Sequence, residues 1–315
     1  MLSFHDVLSA RHAIAGKLHH TPVFGSEILS KRIGARLLLK AECLQKTGSF
    51  KPRGVLNRLQ ALSTEEKARG LITVSAGNHA QALAWGAQRM GVACTVVMPA
   101  HASRSKASAA EGYGATVILH GVMAETFAKM EELRTERNLT LVHPFDDPLI
   151  ITGQGTLGAE IFEQVPEVTK VVVPVGGGGL IAGVALALKH LQPKVKVYGV
   201  EPEGASSMYQ SRAACKAVRL DRIETIADGL GAPYASDLTY ALNQQYVDDV
   251  VTLTDEQIVD ALRLVLVHCK LMVEPAGAAG VAALLYGKIP LAPGDVVVAV
   301  LSGGNVDLDR LKSLL

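Results

Sequence analysis

The sequence predicts an α/β protein of two domains, each an open, mostly parallel, twisted sheet covered by helices. Three observations predict it. From Leu71 onward, short runs rich in valine and isoleucine alternate with helical repeats, as in strands joined by crossover helices. Val171–Val175 and Val296–Leu301 are apolar at every position, as strands buried on both faces are. Several runs end in turns that contain glycine or serine and open a helix.

The chain begins with a helical repeat over Ser3–Leu18, stopped by His20-Thr21-Pro22. Arg36–Glu42 reads as a strand leading into the turn Lys46-Thr47-Gly48-Ser49, and Phe50–Leu62 returns to helical spacing. Ser63-Thr64-Glu65-Glu66 is a capping box for a further short helix. The alternation then sets strands at Leu71–Ser75, Ala93–Met98, Thr116–Leu119 and Leu139–Val142. Helices fall between them at Asn78–Met90, Ser103–Glu111 and Val122–Arg137. The stretch His143–Pro148, rich in proline and aspartate, closes this block. A second series follows: helix Gly155–Val165, strand Val171–Val175, helix Leu180–Leu191 and strand Val195–Glu201. Pro202–Pro233 is irregular apart from a helical piece near Ala205–Arg212. Strand Tyr246–Leu253, a Thr254-capped helix to Lys270, a small-residue helix Pro275–Tyr286 and strand Val296–Leu301 complete the chain. The expected division gives a large domain of residues 1–42 and 146–315 and a small mobile domain of residues 43–145.

Of the 315 residues, 49% are hydrophobic, enough for a core that needs no staples. The formal charge of +1 provides no field for nucleic acid or anionic lipid. Cys43, Cys94, Cys215 and Cys269 are far apart, with no C-x-x-C spacing, and read as reduced thiols of a cytoplasmic protein. The most apolar run, Val171–Leu191, is broken by Pro174 and by the run Gly176–Gly179, so it is no membrane span.

Lys51 stands between Phe50 and Pro52, after a Gly-Ser turn and at the start of a helical repeat. The positive end of a helix dipole eases the loss of its proton, and a neutral lysine can form a Schiff base. The alternative is a solvated surface lysine, and the rest of the chain decides between them. Gly176-Gly177-Gly178-Gly179 follows a buried strand and opens a helix. Its free N–H groups and missing side chains make an anion site, or else a tight turn. No G-K-[ST] is present, so it is not a P-loop. A dinucleotide fingerprint is missing too, although Glu201 ends the next strand. Ser75-Ala76-Gly77-Asn78-His79 also follows a strand and opens a helix. It offers donors for a carboxylate and Asn78 for a ring hydroxyl, unless Asn78 is an ordinary cap. Ser302-Gly303-Gly304-Asn305 ends the last strand, either facing a ligand or forming a glycine turn. Glu274 opens a helix, where the dipole stabilises a carboxylate and a capping role serves equally. One lysine and three strand-to-helix turns can together hold a phosphate, a carboxylate and a heteroaromatic nitrogen. Pyridoxal 5′-phosphate with an amino acid asks for that set.

The sequence resembles the fold-type II pyridoxal phosphate enzymes, in the branch of threonine/serine dehydratases and serine racemases. The matching segments are KTGSFKPRG (46–54), SAGNHAQA (75–82), GQGT (153–156), VPVGGGGLIAG (173–183), ETIADG (224–229), EPAGA (274–278) and SGGN (302–305). They occur in the family's order over nearly the whole chain. The resemblance implies a fold like that of the tryptophan synthase β subunit and a homodimer or homotetramer. Lys51 matches the Schiff-base lysine and general base, and Phe50 the residue packed beside it. Asn78 matches the partner of the cofactor's 3-hydroxyl, and Ser302 the serine facing the pyridine nitrogen. Gly176, Gly177, Gly178, Gly179 and Leu180 match the phosphate cup; Gly229 and Glu274 match positions lining the cofactor. Ser75, Ala76, Gly77, Asn78 and His79 match the loop that receives the substrate carboxylate.

The implied reaction is deamination of L-threonine or L-serine by β-elimination of water. The alternatives are another 3-hydroxy amino acid, such as 3-hydroxyaspartate, or serine racemisation with side elimination. Two departures bear on this. Racemases of the branch carry a second serine where this chain has Ala76, which argues for elimination. The family's divalent-cation site matches Glu201 and the Ala205 carbonyl, but its third position is Ser207, which weakens the hold on Mg²⁺ or Ca²⁺ unless nearby Glu203 compensates. Phe145 stands where racemase-like members carry a polar residue and implies a more apolar pocket.

Overall fold

The computed structural model describes residues 2–315. Among the described residues ten strands form two sheets. The larger uses β1 (Val23–Gly25), β2 (Arg36–Lys40), β7 (Lys170–Pro174), β8 (Lys196–Pro202), β9 (Asp249–Leu253) and β10 (Val296–Val300), in the order β1-β2-β10-β7-β8-β9. Only β1 runs antiparallel to its neighbour. The smaller is wholly parallel and uses β3 (Leu71–Val74), β4 (Cys94–Met98), β5 (Thr116–Leu119) and β6 (Thr140–Leu141), ordered β5-β4-β3-β6. The α/β architecture expected from the alternation is therefore present, with helices on both faces of parallel strands.

Burial explains the sequence pattern. Val171, Val172 and Val173 of β7 are fully buried, as are Val297–Val300 of β10, because helices cover both faces there. The helix Gly179–Leu191 is apolar all round and is buried from Gly179 to Leu188. It crosses the helix Pro148–Gln164 at small residues. A Cβ on Gly158 or Gly183 would come within 2.6 Å or 2.2 Å of the opposing backbone, so glycine is what lets the two helices touch.

Several boundaries differ from expectation. The helix expected from Gly155 starts at Pro148, capped by the Asp147 side chain on the Leu149 and Ile150 amides. The strand expected from Tyr246 starts at Asp249, because a helix, Asp237–Tyr246, with a Ser236/Thr239 capping box, occupies the preceding residues. The helix after Thr254 is regular only to Leu264. It widens to a π-helical turn at Val265–Cys269 and ends at Lys270, whose φ is +58°. Trp85 is buried in the core beside Ile14 and Leu56. Among the described residues no helix is long and apolar enough to cross a membrane.

Candidate active site

Parallel strands point their carboxyl ends to one side, and there the loops after β3, β7 and β10 meet. They surround a cavity of about 160 Å³ between the two sheets. Its wall contains Phe50, Lys51, the segment Ser75–His79, Gly176–Gly179, Leu180, Gly229, Glu274 and Ser302. Every cofactor- and substrate-site residue expected from sequence thus lies on one cavity.

Lys51 is placed by rigid neighbours. Pro52 is the first residue of the helix Pro52–Gln60, with Lys51 as its cap residue. The Phe50 amide donates to the Ser302 carbonyl at 3.0 Å, and the Gly304 amide to the Gly48 carbonyl at 2.9 Å, fastening the turn to the end of β10. The Lys51 ammonium donates to the Pro144 carbonyl at 2.9 Å and makes no close pair with a carboxylate. Burial pushes its pKa down to about 8, against the charge of Glu274, which holds it up.

Below Lys51 is a buried ionic cluster. Arg53 donates from Nε and Nη2 to both Glu42 oxygens, at 2.7 and 2.8 Å, and from Nη1 to Glu160 at 2.9 Å. Lys40, fully buried, donates to the other Glu160 oxygen at 2.5 Å and to the Thr21 carbonyl at 2.6 Å. Burial alone would raise the Glu160 carboxyl, but the Arg53 and Lys40 charges outweigh it and hold the pKa down at about 2. The cluster pins the helix that presents Lys51.

The glycine run has the features of an anion cup. Among the described residues, the N–H groups of Gly177, Gly178, Gly179 and Leu180 have no acceptor, at the start of a helix. Gly178 has φ +87°, and a Cβ on Gly177 would lie 2.3 Å from the Phe145 ring, so side chains are excluded. On the same wall the Ser302 hydroxyl has one long contact, 3.5 Å to the Ala276 carbonyl. A phosphate-bearing heteroaromatic ring would satisfy such a lining, so the residues present fit pyridoxal phosphate.

Comparison with known proteins decides the family. The pattern described as pyridoxal-phosphate dependent enzyme matches residues 14–303. The chain belongs to that family. The L-threonine ammonia-lyase of Thermotoga maritima is 42% identical over 316 residues, covering 100% of this chain and 78% of that one. The structure of maize serine racemase superposes with a TM-score of 0.94 at 38% identity, covering 99% of this chain and 96% of the other. The T.th. threonine deaminase gives 0.91 at 42% identity, covering 98% and 99%. As a pyridoxal-phosphate dependent enzyme of fold type II, the protein uses the cofactor that its cavity fits.

At the positions expected for a divalent cation, the Glu201 carboxylate is engaged by backbone amides. Glu201 is fully buried, and its carboxylate accepts from the Met208 and Tyr209 amides at 2.9 and 2.8 Å. It caps the helix Ser207–Ala214, and burial pushes its pKa up to about 8 against those two amides. Among the described residues the Ser207 hydroxyl has no partner. Among the described residues no group of three or more His, Cys, Asp or Glu side chains is placed to hold a metal.

Sequence reasoning missed Lys106. Its ammonium lines the cavity, 3.9 Å from Asp228 and 4.0 Å from Glu274, with no hydrogen bond. A lysine in the first turn of an ordinary helix carries no sequence signal. Only folding brings it opposite those carboxylates.

Proposed function

We propose that the protein is an ammonia-lyase that converts L-threonine or L-serine to a 2-oxo acid and ammonia. The observation that carries this reading is a single cavity joining the Lys51 amine, the unpaired amides of the glycine run and the Ser302 hydroxyl. The substrate class comes from relatives named threonine ammonia-lyase and threonine deaminase, each 42% identical.

Bound pyridoxal phosphate supplies an aldehyde that engages amines and a ring that draws charge from the substrate Cα. Gly176–Gly179 and Leu180 would hold its phosphate, and Phe50, Asn78, Gly229, Glu274 and Ser302 would line its ring. The amides of Ser75–His79 take the substrate carboxylate. Lys51, neutral after releasing its proton, removes the Cα proton as general base. Ser302 is a neutral hydroxyl and does not hold a ring nitrogen protonated as a carboxylate would. Charge is therefore stored only briefly, which favours prompt departure of the β-hydroxyl. Water is lost in elimination and regained when the released enamine is hydrolysed, leaving the 2-oxo acid and ammonia. Residues 43–145 act in this reading as the small mobile domain, and the chain works as a homodimer or homotetramer in the cytoplasm.

Met123, Phe127 and Phe145 line the same cavity and suit a methyl group better than a second carboxylate. Lys106 could counter a second carboxylate, but Asp228 and Glu274 already face it. A panel of β-hydroxy amino acids assayed for 2-oxo acid tests this. Threonine or serine should give the highest kcat/KM; a clear preference for 3-hydroxyaspartate would contradict the assignment.

The second reading, racemisation, is favoured by the close match to maize serine racemase. It needs a proton donor on each face of the Cα. Ala76 lines the cavity and has no proton to give. Ala76→Ser should raise the ratio of racemisation to elimination by about tenfold or more, a fraction of the roughly hundredfold or greater effect of a fully positioned acid–base group. Chiral chromatography of residual serine measures it, and an unchanged ratio would show that residue 76 does not limit opposite-face protonation.

A further inference from the structure

The hydrogen bonds around Asn78 form a directed chain that ties four separate segments together. The Asn305 amide donates to the Thr47 carbonyl at 2.7 Å and to the Asn78 side-chain oxygen at 2.8 Å. A backbone carbonyl only accepts, so the NH₂ end of Asn305 is fixed there and both its protons are used. The Asn78 oxygen therefore faces Asn305. Its NH₂ group faces Glu274 and donates to that carboxylate. One Asn78 proton is used in this way. Among the described residues the second meets no acceptor, and Asn78 lines the cavity.

The chain has a donor direction set at both ends, by a carbonyl that cannot give a proton and a carboxylate that takes one. Its packing is tight. A Cβ on Gly303 would stand 2.4 Å from Glu274 Oε1 and 3.0 Å from Asn78 Nδ2, and one on Gly48 would stand 2.5 Å from Asn305 Oδ1. Thr47 belongs to the turn before Lys51, and Asn78 opens the helix after β3. Glu274 precedes the helix Pro275–Leu285, and Asn305 follows β10.

We propose that Asn305 and Glu274 are positioning residues that lock the Asn78 amide with its remaining N–H available to the ring oxygen of the bound cofactor. This rests on the cofactor reading above. Inverted, the amide would offer a carbonyl lone pair to that oxygen and repel it.

Asn305→Asp tests the lock because it keeps the shape and reverses the donor. The Asn78 amide then turns over, and its oxygen meets the Glu274 carboxylate. Adding Glu274→Gln satisfies the inverted amide at both ends without restoring its direction. Holoenzyme variants are compared by thermal unfolding, by equilibrium dialysis of pyridoxal phosphate and by the pH titration of the visible band. Asn305→Asp should lower Tm and weaken cofactor binding about tenfold or more, the scale of one buried hydrogen bond. The double variant should regain the part of Tm lost at Asn78 and Glu274, although the new carboxylate still meets the Thr47 carbonyl, while cofactor binding stays weak. Asn305→Ala, which removes the lock without inverting it, should keep more affinity than Asn305→Asp.

Measured against Glu274→Gln alone, the proposal is overturned if cofactor binding in the double variant recovers in step with Tm. It is overturned equally if Asn305→Asp binds as the parent does, or if alanine and aspartate at this position weaken binding alike. A parent protein without any visible band would instead refute the cofactor reading, a separate failure.

Discussion

Lys51→Ala should abolish turnover, lowering kcat by on the order of a thousandfold or more, because it removes both the covalent anchor and the general base. The visible band of the purified protein should vanish with it. No other amine can take over: Lys106 also lines the cavity, but it lies among Asp228 and Glu274. Burial makes Lys51 reactive by pushing its pKa from 10.5 to about 8. A lowered pKa means that the neutral amine is abundant above about pH 8 instead of only near 10.5. Capture of pyridoxal phosphate by cofactor-free protein should therefore speed up with pH and level off near 8 in stopped-flow traces. Acceleration that continues to about 10.5 would mean an exposed, ordinary lysine.

Arg53→Met should produce a large loss of stability, about 3–5 kcal/mol, because it leaves the buried Glu42 without a cation and Glu160 with Lys40 alone. The sign of the pH dependence follows from Glu160. Its folded pKa, about 2, lies below the unfolded value of 4.5. The stabilisation is thus fully present above 4.5 and is lost as pH falls toward 2. In the variant Glu160 keeps only Lys40, so most of the pairing is lost, and parent and variant should converge on acidification and differ most at neutral pH. Urea unfolding across that range measures the gap. A neutral-pH difference below about 1 kcal/mol would show that the cluster is a minor contributor.

Local chemistry made much of this legible in the sequence. Valine runs such as Val171–Val173 gave buried strands, since helices cover both faces, and the glycine run marked a helix start where only bare backbone fits. Elements held by distant partners were not legible. Val23–Gly25 is a three-residue edge strand whose pairing partner, β2, decides its existence, and the helix Glu27–Ile33 is barely two turns long. Glu201 kept its identity but gained an unforeseen capping role, because the amides of Met208 and Tyr209 come to it only when the loop folds. Asn305 was visible as part of a motif. Its role depends on Thr47 and Asn78, which lie 258 and 227 residues earlier.

The claim beneath all of this is that one amine carries the cofactor. Borohydride reduction of the holoenzyme, followed by peptide mapping with mass spectrometry, tests it directly. The account predicts one modified peptide, with the mass of the reduced cofactor on Lys51. A label on any other lysine, or no covalent label on a protein that turns over substrate, would contradict it.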